Sequence, residues 1–171
     1  MLGHYENFPE TVHGIAHFTH KASMKSVQQA IVVAFSELNQ KRCRLEEVAR
    51  SSGPYCDVDF EVGVGEQSTF IFLETSEVER LKGEVSKRTL PFLDFLFVLQ
   101  YHANRDSGRR SPLKFDYYLM RFAFAKNLTE FLVSHERGPR RVHVEDLVRF
   151  VAKHVTMEFA EHYPGSLKLE D

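Results

Sequence analysis

The side chains in this sequence that are best suited to binding chemistry are arginines, and they fall into two groups. The groups lie about thirty residues apart in the chain. The first consists of Arg105, Arg109, Arg110 and the nearby Lys114, and the second of Arg137, Arg140 and Arg141. The planar guanidinium binds phosphate oxygens through paired hydrogen bonds, so clusters of this kind are typical of proteins that bind nucleic acids or other phosphates.

Charge is distributed unevenly along the chain, although the net charge is only −2. Residues 100–141 contain nine Lys and Arg against four Asp and Glu, whereas both flanking stretches are acidic. Aromatic residues accompany the basic ones at Tyr101, Phe115 and Tyr117. Bases stack on such rings, so the combination predicts a surface for single-stranded DNA or RNA.

Three carboxylates at alternate positions offer a different chemistry. Asp57, Asp59 and Glu61 alternate with apolar residues and therefore share one face of a predicted strand. Such a face can bind Mg²⁺ or Mn²⁺, as in a phosphohydrolase or nuclease. An antiparallel sheet also needs a polar, solvated face, and we expect these carboxylates to serve that purpose without a metal.

Other metal, cofactor and catalytic patterns are weak. His13 and His17 share a strand face but have no third ligand close in sequence, so we expect them to be half-exposed strand residues. Cys43 and Cys56 form neither a CxxC pair nor a disulfide framework. No nucleophile elbow or glycine-rich phosphate loop is present, and we predict no cofactor.

The basic residues belong to a predicted β-meander. Three runs rich in Phe, Leu, Val and Tyr, at 92–103, 113–125 and 128–141, are separated by turn-forming residues. In an antiparallel meander the first turn and the end of the third strand lie at the same end of the sheet. We therefore expect the two arginine groups to form one surface patch.

The remaining elements predict an α+β fold. We expect strands at 11–20, 55–63 and 69–73, main helices at 24–40, 75–88 and 143–164, and a short helix at 45–52. Ser23 is the predicted N-cap of the first helix, and Ser76 with Glu79 form a predicted capping box on the second. The order β-α-β-β-α-β-β-β-α implies a largely antiparallel sheet of about six strands with three main helices packed on it. A helix-turn-helix is disfavoured, since a strand follows where the recognition helix should be.

The chain is expected to form one domain over residues 1–171, with loose ends at 1–10 and 165–171. Both faces of the meander are apolar, and the second face would carry five large side chains. These are Leu96, Val98, Phe115, Tyr117 and Leu119. Because monomers rarely expose large contiguous apolar patches, we expect a homodimer that buries this face.

These patterns favour a non-enzymatic binding protein that engages nucleic acid or another phosphate-bearing ligand. Two alternatives stay open, namely a homodimeric protein–protein interaction scaffold and a metal-dependent phosphohydrolase or nuclease. No apolar run approaches the ~20 residues of a membrane span, and the N-terminus lacks a signal-peptide pattern. A cytoplasmic location without membrane contact is therefore expected.

Overall fold

A computed structural model describes residues 1–49, 56–104 and 110–170, and it excludes the side chains of 103–104 and 110–113. The strands are β1 Gly14–Lys21, β2 Arg42–Arg44, β3 Cys56–Glu66, β4 Thr69–Phe72, β5 Phe92–Asn104, β6 Arg110–Ala125, β7 Leu128–Arg137 and β8 Ser166–Glu170. The helices are α1 Met24–Leu38, α2 Leu45–Val48, α3 Thr75–Lys87 and α4 Val144–His162.

The strands form a single curled antiparallel sheet, which confirms the predicted α+β class. The order across the sheet is β2-β3-β5-β6-β7-β1-β8, and β4 pairs with β3 outside this path. The meander β5-β6-β7 lies at its centre, as predicted. In the described part of the chain the sheet has eight strands rather than about six, since β2 and β8 were not expected.

The core lies between the inner face of the sheet and the helices. Phe35 of α1 stacks on Phe95 at 4.1 Å and meets Phe97 and Phe122 edge to face. Phe150 of α4 packs against Phe60 on the same face, and α3 packs against α1. The alternation of residues along β5 and β6 therefore predicted correctly that Phe95, Phe97 and Phe122 face the core.

The two predicted helix caps have different outcomes. The Ser23 side chain accepts a hydrogen bond from the Ser26 amide at 3.1 Å, which confirms the cap of α1. On α3 the N-cap is Glu74, without a side-chain cap bond, and the Ser76 hydroxyl instead donates to the Glu74 carboxylate. The predicted Ser76–Glu79 capping box is wrong, because the N-cap is two residues earlier than the box requires.

Both chain ends are tied to the sheet, so the prediction of loose ends is corrected. The end at 166–170 forms β8, which pairs with β1. At the other end, the Gly3 amide donates to the Gly65 carbonyl and the Gly3 carbonyl accepts from the Asp94 amide, both at 2.7 Å. The N-terminal segment thereby fills the gap that opens where β3 turns away from β5 to pair with β4.

The outer face of the meander is covered more completely than expected. Val98 and Leu119 are only 8% and 4% exposed without any partner chain. Of the five side chains expected to need a partner, Phe115 is the most exposed, at 39%, and the other four are buried or half-buried. The apolar surface available for self-association is thus smaller than the sequence suggested, and a homodimer has no support from this face.

Candidate functional site

The end of β7 and the facing part of β6 form a shallow cleft. Tyr117 pairs with Arg137 across the two strands, next to a register shift between Tyr117 and Tyr118. The cleft has a volume of about 680 Å³. It is lined by Lys114, Phe115, Tyr117, Arg137, Gly138 and Pro139. We call it the β6–β7 cleft, and it contains four of the predicted binding residues.

Aromatic and cationic groups alternate within this cleft. The Arg137 guanidinium lies 4.1 Å from the centre of the Tyr117 ring, a cation–π contact. The rings of Phe115 and Tyr117 are 6.2 Å apart with an interplanar angle of 30°. No carboxylate of the described residues lies within ion-pair distance of Lys114 or Arg137, so their charges are available to an anionic ligand.

A buried carboxylate beneath the cleft fixes its shape. Asp116 is fully buried and accepts four hydrogen bonds. Its Oδ1 accepts from His135 Nε2 at 2.8 Å and from the Arg140 amide at 2.7 Å. Its Oδ2 accepts from the Tyr101 hydroxyl at 2.5 Å and from the Arg141 amide at 2.9 Å. The segment after β7 is therefore attached to β6 through one side chain.

Gly138 is required for this attachment. Its φ is +113°, and a Cβ there would collide with the Phe115 carbonyl oxygen and with Asp116 Oδ1. Arg140 also has a positive φ, +54°, which is unfavourable for a residue with a side chain and is offset by its amide bond to Asp116. The tight approach of residues 138–141 to β6 sets one wall of the cleft.

The three arginines near the end of β7 lie in different surroundings. Arg137 belongs to the cleft, whereas Arg140 lines a separate depression with His13 and His143. Arg141 turns inward, where its guanidinium lies 5.6 Å from the Tyr101 ring centre and its Nε is buried without a hydrogen-bond partner. A single arginine patch is not supported among the described residues.

The first arginine group lies mostly beyond the description. Arg105 and Arg109 fall outside the described residues, and only the backbone of Arg110 is described. The register adds one constraint, because β7 ends opposite Tyr117 while β6 begins seven residues earlier. At about 3.3 Å per residue, seven residues span roughly 23 Å, so the backbone of Arg110 lies about that far along β6 from the position opposite Arg137.

Tyr101 is corrected as a candidate for base stacking. The side chain is fully buried on the inner face, and its hydroxyl donates to Asp116. Burial, followed by the hydrogen bond to the Asp116 carboxylate, raises the pKa of Tyr101 well above its ordinary value. Tyr101 therefore supports the position of Asp116 and offers no surface to a ligand.

The acidic face of β3 is partly neutralised by a strand that the sequence analysis missed. Arg42 of β2 donates to Asp59 Oδ1 at 2.9 Å, and His102 Nε2 lies 3.0 Å from Asp59 Oδ2. In the sheet register Glu61 lies level with Val98 and Tyr117, two strand spacings or roughly 10 Å from the cleft. The acidic face and the cleft therefore share the outer face.

The histidines and cysteines show no convergent site. The His13 ring accepts a hydrogen bond from the His135 amide, and His17 lies 3.3 Å from Glu130. Cys43 and Cys56 are buried and form no disulfide. The one described group of potential metal ligands is Glu158, Glu161 and His162 in the last turns of α4. Two of these three side chains are exposed, and helical spacing alone brings them together.

Sequence reasoning missed Asp116, His135 and Gly138, which organise the cleft. A signal for Asp116 was present, since its position in β6 has the inward parity of Tyr118 and Met120. A charged residue at a core-facing strand position must be paired or hydrogen-bonded. Its donors are distant in sequence, so no local spacing could identify them.

Comparison with known proteins gives no assignment. No protein-family model matches the chain, and no curated protein or solved structure matches it significantly. Within the described part of the chain, no helix combines the length and hydropathy that a membrane span requires. Its function is therefore inferred from the geometry of the chain itself.

Proposed function

We propose that this protein is a non-enzymatic binding protein that engages single-stranded nucleic acid through the β6–β7 cleft. The observation that carries the proposal is the stacking of the Arg137 guanidinium on Tyr117, beside the exposed ring of Phe115 and the ammonium of Lys114, which has no ion-pair partner among the described residues. A guanidinium held flat on a ring keeps its N–H groups in one plane, which suits bidentate contact with phosphate.

The chemistry divides between two kinds of contact. Phe115 provides an exposed π-face for a base, and stacking of this kind contributes about 1–3 kcal/mol per base. Lys114 and Arg137 provide charge for the phosphates. The segment fixed by Asp116 orders the cleft before binding, which reduces the entropy lost on association.

Fluorescence anisotropy with a labelled single-stranded oligonucleotide, measured at several salt concentrations, tests this function. Arg137→Gln should weaken binding and reduce the slope of log K against log salt by about 0.7 for the lost phosphate contact. Phe115→Ala should weaken binding by about 1–3 kcal/mol and leave that slope unchanged. DNA and RNA oligonucleotides of the same sequence distinguish the two polymers.

Two matched variants control for charge and stability. Arg88→Gln removes an exposed arginine at the end of α3, and Lys126→Gln removes a lysine from the turn at the opposite end of β6 and β7. Neither should change affinity. Equal affinity of Arg137→Gln, Phe115→Ala and the parent protein would refute binding at the cleft.

One observation bears on the nuclease or phosphohydrolase alternative. That hypothesis requires the acidic face to lie near the basic residues, and the register meets this condition for Glu61 and Tyr117. Asp59, however, is already contacted by Arg42 and His102. Because Arg42 already engages one of the three carboxylates, the arrangement favours binding over metal-dependent catalysis. We also propose a cytoplasmic location.

A further inference from the structure

A second cavity lies away from the β6–β7 cleft, between α4 and the β2–α2 segment. Its volume is about 730 Å³. We call it the α4 pocket. Among the described residues, its apolar lining is Val48, Ala49, Phe150 and Met157, its charged lining is Lys41, Arg42, Glu46, Glu47, Asp146, Arg149 and Lys153, and Cys43 and His154 also line it. A cavity of this size can hold a small organic molecule.

Most charges around the α4 pocket are already compensated. Asp146 lies 3.6 Å from Arg149, and Arg42 donates to Asp59. Glu46 lies 3.4 Å from the Arg44 guanidinium, and Glu47 accepts a hydrogen bond from the Arg44 amide. Asp146 and Glu46 therefore each have a cationic partner, whereas Glu47 has a hydrogen bond but keeps its negative charge.

Lys41 and Lys153 have no such partner. Neither ammonium lies within ion-pair distance of a carboxylate of the described chain. They belong to different elements, since Lys41 precedes β2 and Lys153 lies on α4. Two lysines from different elements thus line one cavity without an ion-pair partner among the described residues, against one carboxylate, Glu47, that has no cationic partner there.

Both lysines affect the same side chain, the imidazole of His154. Its half-buried ring meets Phe150 edge to face at 4.6 Å. Burial lowers the pKa of His154, and the charges of Lys41 and Lys153 lower it further. The potential at this ring is therefore positive, which favours an anion beside it.

We propose that the α4 pocket binds a phosphate monoester with an apolar body. A monoester carries nearly two negative charges at neutral pH, which matches the two lysines, and lysine binds phosphate as a point charge. Phe150 and Met157 provide an apolar surface for the attached group, and Met157 is half exposed there. An inorganic ion would satisfy the lysines but would leave this surface uncovered.

The test uses three probes, which are phenyl phosphate, inorganic phosphate and phenol. Nuclear magnetic resonance of the His154 imidazole, assigned with His154→Gln, follows binding and pH titration together. Phenyl phosphate should raise the titration midpoint of His154, because its dianion offsets the lysines and outweighs the other charged groups around the pocket. Inorganic phosphate should bind more weakly, and phenol should leave the midpoint unchanged.

Lysine variants identify the site of binding. Lys41→Gln and Lys153→Gln should each weaken phenyl phosphate binding roughly tenfold, the loss expected for one charged contact. Lys25→Gln, which removes an exposed lysine from α1, should not. Arg137→Gln at the β6–β7 cleft should also have no effect, so this inference stands or falls separately from the proposed function.

Three results would overturn the proposal. They are an unchanged His154 signal at millimolar phenyl phosphate, equal binding of phenyl phosphate and inorganic phosphate, and equal losses in the Lys25 and Lys41 variants. The second would exclude a contribution from the apolar surface, and the third would indicate a nonspecific effect of net charge.

Discussion

Two fully buried carboxylates lie on neighbouring strands, and they are stabilised in opposite ways. Asp94 on the outer face of β5 is paired with a formal cation, since Arg121 donates from Nε and a terminal nitrogen at 2.7 and 2.8 Å. Asp116 on the inner face of β6 receives its four hydrogen bonds from a phenol, an imidazole and two backbone amides. Among the side chains that the structure describes, no Lys or Arg bonds to it.

Each carboxylate fastens a different piece of irregular chain. Asp94 accepts from the Tyr5 amide, and Arg121 donates to the Tyr5 carbonyl while its guanidinium packs against the rings of Phe8 and Phe92. This arrangement holds the N-terminal segment on the outer face. Asp116 holds residues 138–141 against β6 and so shapes the β6–β7 cleft.

The difference follows from what each site must do. Burial of a lone carboxylate is costly, and either a guanidinium or several well-placed N–H groups can offset that cost. The Arg121 guanidinium beside Asp94 bonds to that carboxylate and to the Tyr5 carbonyl. Its charge is therefore already used within the protein. Backbone donors at Asp116 leave Arg137 and Arg140 turned outward, where their charges can meet a ligand.

The largest effect should come from breaking the ion pair at Asp94. Arg121→Met keeps much of the side-chain volume but leaves the Asp94 carboxylate buried without a cation, which should cost about 3–5 kcal/mol of unfolding free energy. Urea denaturation measures this loss. Hydrogen exchange of the Glu6 amide, which bonds to the Gln67 carbonyl, should become faster as the N-terminal segment detaches.

A second variant tests the cause of that loss. Asp94→Leu combined with Arg121→Met should recover part of the stability, because an apolar pair often replaces a buried ion pair with little cost. Recovery should be incomplete, since the Tyr5 amide and carbonyl lose their partners. A loss below about 1 kcal/mol for the single variant would instead indicate an exposed type of ion pair.

A smaller effect is expected at Asp116. Asp116→Asn keeps the shape of the side chain but replaces one accepting oxygen with an amino group that faces donors. The loss of charged hydrogen bonds should cost about 2–3 kcal/mol. Hydrogen exchange of the Arg140 and Arg141 amides should become faster, while that of Glu6 should not, which separates the two regions directly.

Tyr101→Phe gives the matched control for that change. It removes one of the four donors and leaves the two backbone bonds, so about 1 kcal/mol should be lost and the Arg140 amide should remain protected. If Tyr101→Phe and Asp116→Asn had equal effects, the phenol rather than the backbone would dominate the site. The contrast drawn between Asp94 and Asp116 would then fail.

The meander was predictable because long apolar runs between turn residues leave few alternatives. The fate of Tyr101 was predictable too, since it shares its parity along β5 with Phe97 and Leu99, and all three are buried. Tyr101 was wrongly predicted to lie on the binding surface because it is close to the arginines in sequence, although its position in the alternation indicates the inner face. Alternation decides which face of a strand a side chain occupies.

The buried polar contacts could not be predicted in the same way. Tyr5 bonds to Asp94 across 89 positions, and Asp116 bonds to Arg140 across 24. The terminal strand β8 depends equally on a distant partner, because its five residues gain their hydrogen bonds only from β1. Such elements have little local signal, and their stability comes from the sheet they join.

Glu158 of α4 is a buried carboxylate in a third kind of environment. It is only 7% exposed, yet the described residues give it neither a cation like that of Asp94 nor donors like those of Asp116. His162 Nε2 lies 3.5 Å from its Oε1. Burial raises the pKa of Glu158, and the charge of Glu37 raises it further, while His162 opposes the shift.

The smallest expected effect is a gain of stability from Glu158→Gln. A carboxylate whose pKa is raised on folding binds more protons in the native state, so its ionisation lowers stability as pH rises from the unfolded value through the folded one. Glutamine resembles the protonated form at every pH. The variant and the parent should therefore be nearly equal in stability below about pH 4.5, and the variant should exceed the parent by a few tenths of a kcal/mol at neutral pH. Urea denaturation across this pH range measures the difference, with Glu10→Gln as the control for loss of an exposed negative charge. A variant less stable than the parent at neutral pH would show that the ionised carboxylate is stabilised by His162, and Glu158 would then resemble Asp94 rather than form a third class.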